Sequence, residues 1–379
     1  MIDHHAHPFD LEPGPFEPTR LAIDLDDLDG RRPAAPVRPD TVWRALFVSR
    51  LARWFGVTIA DLPAARATHA ANYASHVRRL FADAGIDEVL LDPGWPPGSE
   101  RHIADFARLS GCAVHPLWRL EPLIDDLLSR DATVTQILAE VDDRIRSSRD
   151  RGVRGFKTVI AYRTGLAIDP DATVASAESA LRGGGRSASK PLRDLVFRRL
   201  LAGAADTRLP VQIHTGFGDS DLRLADANPT LLDDVLDTPV GRQAPIALLH
   251  SGFPYQDEAG YLAAARANVH VDVSLVNLFA PVNLADGLRR VVGVAPVDRV
   301  LFGTDAYALP EAFWFAAVVL REAWGIVRDG LLAQGLDSGW MDDAERAMFE
   351  GNARRLYGLD GNGGAGQPTG PPPREGDDR

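Results

Sequence analysis

The side chains best equipped for chemistry in this chain are histidines, one aspartate and one lysine. Residues 3–7 read Asp3-His4-His5-Ala6-His7. In an extended strand, residues two apart point to the same face, so His5 and His7 can present two imidazoles to one metal ion. A His-x-His match arises easily in a chain with ten histidines, and it gains weight only from the others. His214 closes the apolar run Pro210-Val211-Gln212-Ile213, His250 closes Ile246-Ala247-Leu248-Leu249, and Asp305 follows Leu301-Phe302-Gly303-Thr304. Imidazoles and a carboxylate gathered on one rim have the ligand types of a zinc or similar divalent site. Any one of these histidines alone reads as a hydrogen-bonded core residue. Their joint placement at the ends of apolar runs argues against that for the set.

Lys157 adds a second kind of chemistry. Of 41 basic residues only two, Lys157 and Lys190, are lysines, and the rest are arginines. Lys157 falls in the apolar run Gly155-Phe156-Lys157-Thr158. A protonated amine is costly to bury, and dications nearby favour its neutral form. A neutral amine can add carbon dioxide to give a carbamate, an anionic oxygen donor that can bridge two metals. Arginine stays protonated and cannot do this. The alternatives are a cation that binds substrate and an outward-facing, solvated side chain.

These residues need a frame that brings distant positions together. Seven short apolar runs, near residues 87–91, 112–117, 153–160, 209–213, 246–249, 269–273 and 299–302, read as buried strands. Helical patterns separate them, among them 73–84, 134–147, 192–205 and 258–267. With a short strand at residues 2–5 the count is eight. Alternating strands and helices imply a parallel sheet, and eight such units a (β/α)8 TIM barrel, whose catalytic residues sit at the C-terminal strand ends. In that fold the histidines and Asp305 lie on strands one, five, six and eight, and Lys157 on strand four. The expected domain is residues 1–360. Residues 9–70 form a long insertion after strand one, with a helical segment at 41–55, read as a lid over the barrel mouth or a dimer contact. A second insertion spans 169–190, and the Gly- and Pro-rich tail 361–379 is expected to be disordered.

The residues already named resemble the amidohydrolase superfamily. The local wording is similar to one branch, the amidohydrolase-related family. It is carried by Gly155-Phe156-Lys157, the stretch from Ala161 to Leu166, Ile213-His214-Thr215-Gly216-Phe217-Gly218-Asp219, Leu249-His250-Ser251, Gly303-Thr304-Asp305-Ala306 and Pro310-Glu311. Within it, the chain resembles the domain that precedes a glutamine-synthetase-like module in fungal sporulation and plant nodulin-type proteins; these 379 residues carry no such second module. The resemblance spans nearly the whole chain and is weakest over 9–70. It implies that His5, His7 and Asp305 bind the more buried metal. Lys157, once carbamylated, would bridge to a second ion on His214 and His250. A metal-activated hydroxide would then cleave a C–N bond, with Asp305 as base and then acid. Asp305, Lys157 and His250 are thus the expected catalytic residues, and one or two zinc ions the expected cofactor. Some members of the family use one metal, and some run decarboxylation, ring-opening lactone hydrolysis or isomerisation, so the alternative is a non-hydrolytic decarboxylase or lyase using a single metal at the same site. A metal-binding barrel that senses or assembles without turnover is a third reading, disfavoured by the full ligand set.

Substrate-binding candidates follow the strand ends. They are Arg163 after strand four, placed to clamp a carboxylate, Arg119 and Glu121 after strand three, Trp95 after strand two, and Asp219 after His214. A small, carboxylate-bearing substrate is expected. Each candidate has the alternative of a salt bridge, cap or loop contact. Asp3 is expected to orient His5 or a neighbouring backbone group, and Cys112 to be inert core.

Composition closes other routes. The net charge of −12 works against nucleic-acid or anionic-membrane partners. No run approaches the roughly 18 apolar residues of a membrane span, and the start, Met1-Ile2-Asp3-His4-His5, lacks a signal-peptide pattern, so a cytoplasmic location is expected. A single cysteine excludes an intramolecular disulfide and a cysteine-built zinc site. A homodimer is the default assembly.

Overall fold

A computed structural model describes residues 1–21, 41–94, 102–184, 186–219 and 221–360. Eight parallel strands follow one another in sequence order: β1 (Ile2–Ala6), β2 (Glu88–Leu91), β3 (Ala113–Arg119), β4 (Gly155–Thr158), β5 (Val211–His214), β6 (Ile246–Leu249), β7 (Val269–Asp272) and β8 (Val300–Leu301). Backbone bonds bring β1 against the chain that leaves β8: His4 N–H to Phe302 O at 3.3 Å and Asp305 N–H to His5 O at 2.8 Å. The result is a nearly closed (β/α)8 barrel, as the alternation of runs and helical patterns predicts. The expected tail 361–379 and the acidic and proline-rich part of the first insertion, 22–40, lie outside the described residues.

Apart from β3, whose first half is partly exposed, the strands are short and almost wholly buried on both faces, which is why they read as apolar runs rather than alternations. The outer helices show the complementary pattern. Helix α4 (Val134–Ser147) buries Val134, Ile137, Leu138, Val141 and Ile145, one stripe at helical spacing. Thr133 starts it: its hydroxyl accepts from Gln136 N–H, while the Gln136 side chain accepts from Thr133 N–H, so two otherwise unpaired donors are satisfied.

The insertion after β1 supplies α1 (Val42–Phe55) and α2 (Leu62–Ala70), followed by the first barrel helix α3 (Tyr73–Ala84). They pack on the long helix α5 (Pro310–Ala333) through Phe47 on Phe315 and Phe81 on Phe313, with ring centroids 5.2 and 5.0 Å apart. A buried ion cluster fastens the same seam. Glu311 Oε1 accepts from Arg66 Nε at 2.8 Å and lies 2.8 Å from His76 Nε2. Glu311, which follows the barrel's last strand, therefore anchors the insertion.

Inside the barrel the side chains form layers. The floor is apolar, with Ile2, Leu90, Leu117, Ala247 and Leu301, closed from below by Ala353 and Tyr357 of the last helix, α6 (Asn352–Tyr357). Above it lies a polar layer of His4, Gln212 and Asp272, all buried. The rim carries the candidate site.

Candidate metal centre

The register of β1 shifts between Asp3 and Ala6. An irregularity of this kind re-aims side chains, and here His4 and His5, although adjacent, both contact groups from the barrel interior. His5 Nε2 lies 3.0 Å from Asp305 Oδ1, and His7 Nε2 lies 3.3 Å from the same oxygen. One ligand atom from each of His5, His7 and Asp305 falls within 4.8 Å of the others. Lys157 Nζ is 3.4 Å from His5 Nε2, and His250 Nδ1 is 4.0 Å from Asp305 Oδ2. His214 Nδ1 and His250 Nε2 face each other at 3.0 Å. The six residues thus form one connected, buried cluster.

Neighbouring groups fix how these rings present themselves. His7 Nδ1 is 3.1 Å from the Asp92 carbonyl; donating a proton there leaves the Nε2 lone pair facing Asp305. The Asp92 carboxylate is held by Arg119, with Nη2 at 2.6 Å, and by Gly94 N–H at 2.9 Å. Asp3 accepts from Thr304 N–H at 2.8 Å and from the Thr304 hydroxyl, tying the turn before Asp305 to β1. His250 and Asp305 both adopt left-handed backbone conformations, with φ of 65° and 54°. Such geometry in a non-glycine residue is uncommon and clusters at functional sites.

The electrostatics match this crowding. Burial, and then the charge of Lys157, pull the His5 imidazole down to about 4. Burial drives His214 and His250 well below the ordinary histidine value. All three rings are therefore neutral at pH 7, the state in which an imidazole can ligate. Burial alone would raise Asp305, but the surrounding His250, His5 and His7 outweigh it and hold the carboxyl well below its usual range. Burial, and then Arg119, lower the Lys157 amine to about 8. Among the described residues no carboxylate lies within 4 Å of Lys157 Nζ.

The donor set fits a divalent ion on grounds internal to the structure. His5, His7 and Asp305 each bring a donor atom within 4.8 Å of the others, two imidazoles and a carboxylate being divalent-ion ligand types, and His214 Nε2 is buried without a hydrogen-bond partner, a cost that an ion bound there would relieve. Around His214 the packing is tight. The Tyr162 ring sits 4.6 Å from the His214 ring, and a Cβ on Gly218 would fall 1.9 Å from the Tyr162 hydroxyl and 3.1 Å from His214 Nε2. Glycine alone permits that approach.

The substrate-binding candidates are spread more widely. Arg119 pairs with Lys157 in the β3–β4 register and is mostly buried at the rim. Arg163 donates to Asp125, which it shares with Arg193. Glu121 Oε1 accepts from the Thr158 hydroxyl at 2.6 Å and from Val159 N–H at 2.9 Å, so it binds the turn after β4. Asp219 is partly buried, its backbone N–H donating to the Tyr162 hydroxyl at 3.2 Å. Trp95 lies outside the described residues. A cavity of about 720 Å³ borders the chain just after His7 and just after Asp305, lined among others by Phe9, Asp10, Arg20 and Tyr307.

Sequence reasoning passed over His4, Asp92, Tyr162 and Asp272. Asp92 and Asp272 close the runs Val89-Leu90-Leu91 and Val269-His270-Val271. The strand-end rule that singled out His214 and His250 would have found both.

A family model described as Amidohydrolase matches residues 2–359. The chain belongs to the amidohydrolase family. This amidohydrolase is 27% identical over 401 residues to protein fluG of Emericella nidulans, an alignment that covers 95% of the chain and 46% of fluG. The chain therefore spans about half the length of that relative. Its fold is similar to a protein of Lactobacillus casei ATCC 334 described as a metal-dependent hydrolase, with a TM-score of 0.82 and 26% identity over 94% of this chain and 95% of that one. It also shares its fold with uronate isomerase of Thermotoga maritima, at a TM-score of 0.65 and 14% identity over 94% of each chain.

Proposed function

We propose that this amidohydrolase is a metal-dependent enzyme that hydrolyses a C–N bond of a small, carboxylate-bearing substrate. The observation that carries the reading is the convergence of His5, His7 and Asp305 within 4.8 Å, with Lys157 against His5 and the His214–His250 pair against Asp305. His5, His7 and Asp305 would hold one divalent ion, most simply zinc, and His214, His250 and Lys157 a second. A divalent ion so held polarises a carbonyl and lowers the pKa of water.

The chain's own residues supply the rest. Asp305 is ionised at neutral pH and can accept a proton from the attacking water at Oδ2, then return it to the leaving nitrogen. His7 is held in one orientation by the Asp92 carbonyl. Lys157 loses most of the penalty for neutrality by being buried beside Arg119. Its free amine adds carbon dioxide through a new N–C bond and releases one proton, which leaves a carbamate oxygen for the second site. Both Arg119 and Arg163 already have a carboxylate partner, Asp92 and Asp125; Arg119, whose backbone is in register with Lys157, is the favoured partner for a substrate carboxylate because it lies beside the cluster.

A second reading, a single-metal decarboxylase or lyase, draws on one observation: His5, His7 and Asp305 already make a three-ligand set without Lys157. Metal content and intact mass of the native protein separate the two. Two equivalents of metal and a carbon dioxide adduct on Lys157 support hydrolysis; one equivalent and a bare lysine support the lyase. An active enzyme free of metal overturns both.

A further inference from the structure

Below the rim a buried hydrogen-bonded chain runs from the last helix to the turn that carries His250. Gln212 Nε2 donates to the Tyr357 hydroxyl at 2.8 Å and to the His4 carbonyl at 2.7 Å. The Tyr357 hydroxyl is 3.1 Å from His4 Nδ1. His4 Nε2 is 2.6 Å from Asp272 Oδ2, and Asp272 Oδ1 accepts the backbone N–H of His250. All five residues are buried.

The donors and acceptors impose a direction. The Asp272 carboxylate only accepts, so His4 must carry its proton on Nε2. In neutral His4, Nδ1 is then an acceptor and the Tyr357 O–H donates to it. The tyrosine oxygen in turn accepts from Gln212. Every link is satisfied in the same sense, from Gln212 through Tyr357 and His4 to Asp272. The end of the chain is specific as well. Asp272 holds the backbone of His250, a residue in a left-handed conformation with φ of 65° that turns its ring toward His214 and Asp305. The packing leaves no slack: a Cβ on Gly303 would meet His4 Cδ2 at 3.1 Å and Asp272 Oδ2 at 3.3 Å.

We propose that Tyr357 is a positioning residue for the metal-binding rim, acting through His4 and Asp272 on the turn at His250. The last helix then does more than plug the barrel floor. Through His4, its hydroxyl fixes the rotamer of an aspartate in the layer directly below the rim, so a shift of α6 is transmitted to the backbone that carries one imidazole of the rim. The functional meaning rests on His250 being a ligand, as proposed above; the geometry of the relay does not.

The test therefore has a metal-free arm. Histidine-selective ¹⁵N labelling of the full chain, stripped of metal, should show His4 as the Nε2–H tautomer. In Tyr357→Phe, which keeps the ring that packs in the floor, the His4 and His250 ring signals should both move. A wild-type His4 that carries a proton on Nδ1 overturns the proposal without any variant. So does a Tyr357→Phe protein in which His4 signals shift and those of His250 stay fixed; loss of simple floor packing would lower the melting temperature and leave His250 unmoved. If Tyr357→Phe does not fold, His4→Phe is read for the same His250 shift. In the second arm, zinc affinity measured against a chelator should fall about tenfold in Tyr357→Phe, the scale for a group that orients a ligand. Wild-type protein that binds no zinc would sink the metal reading while leaving the first arm intact, and equal affinities in the two proteins would sink the relay's role at the rim.

Discussion

The barrel has two polar layers, and they are built to opposite specifications. In the lower one, His4, Gln212, Asp272 and Tyr357 satisfy one another in a single directed chain, with only Gln212 Oε1 left over. In the upper one, His5, His7, Lys157, His214, His250 and Asp305 crowd together, with two ring nitrogens unpartnered, two residues at positive φ, and the pKa values of several groups displaced from their ordinary ones. A satisfied buried network rigidifies a core, whereas an unsatisfied one is costly and persists only where something else selects for it. The contrast teaches how the proposed function would be divided: a lower layer that supports and an upper layer that would react.

The comparison can be broken most severely at the rim. Lys157→Arg keeps charge and length but cannot form a carbamate; turnover should fall by at least about 10³-fold while the melting temperature stays within a few degrees. Circular dichroism melts beside turnover assays check this, and an arginine variant with wild-type turnover would remove Lys157 from the mechanism. The floor should behave in reverse. Leu117→Ala in the apolar layer should cost about 2–5 kcal/mol in denaturant unfolding and leave the metal stoichiometry unchanged. A loss of metal with little loss of stability would mean that the layers are not separable.

A smaller effect comes from β7. Burial lowers His270 to about 4. Its native form therefore stays neutral while the unfolded chain, near 6.5, takes up a proton first. The stability this contributes is complete above about pH 6.5 and is lost as pH falls toward 4. Because the ring is partly exposed, the difference should be about 1–2 kcal/mol. Metal-free wild type should lose more stability between pH 6.5 and 4 than His270→Gln; parallel curves would contradict this. The smallest effect is on the outer shell, where Thr133→Ala removes the α4 cap and should cost about 1 kcal/mol with turnover unchanged.

The barrel was legible in the sequence because each buried strand is a compact apolar run ended by a polar residue. The candidate ligands were legible for the same reason, since His214, His250 and Asp305 each follow such a run. His5 and His7 were found by their spacing of two, and they do meet at Asp305. What escaped depends on tertiary geometry. The shift in β1 turns His4 inward, which no alternation rule anticipates. Glu121 and Arg163 look like rim residues by position. Their partners, Thr158 and Asp125, come from neighbouring elements brought close only by folding.

The central claim is most directly tested by crystals of the native protein measured above and below the zinc absorption edge. The account predicts an anomalous peak enclosed by His5, His7 and Asp305, with added density on the Lys157 amine and a second peak beside His214 and His250. An active preparation whose map shows no anomalous scatterer among these six residues would contradict it.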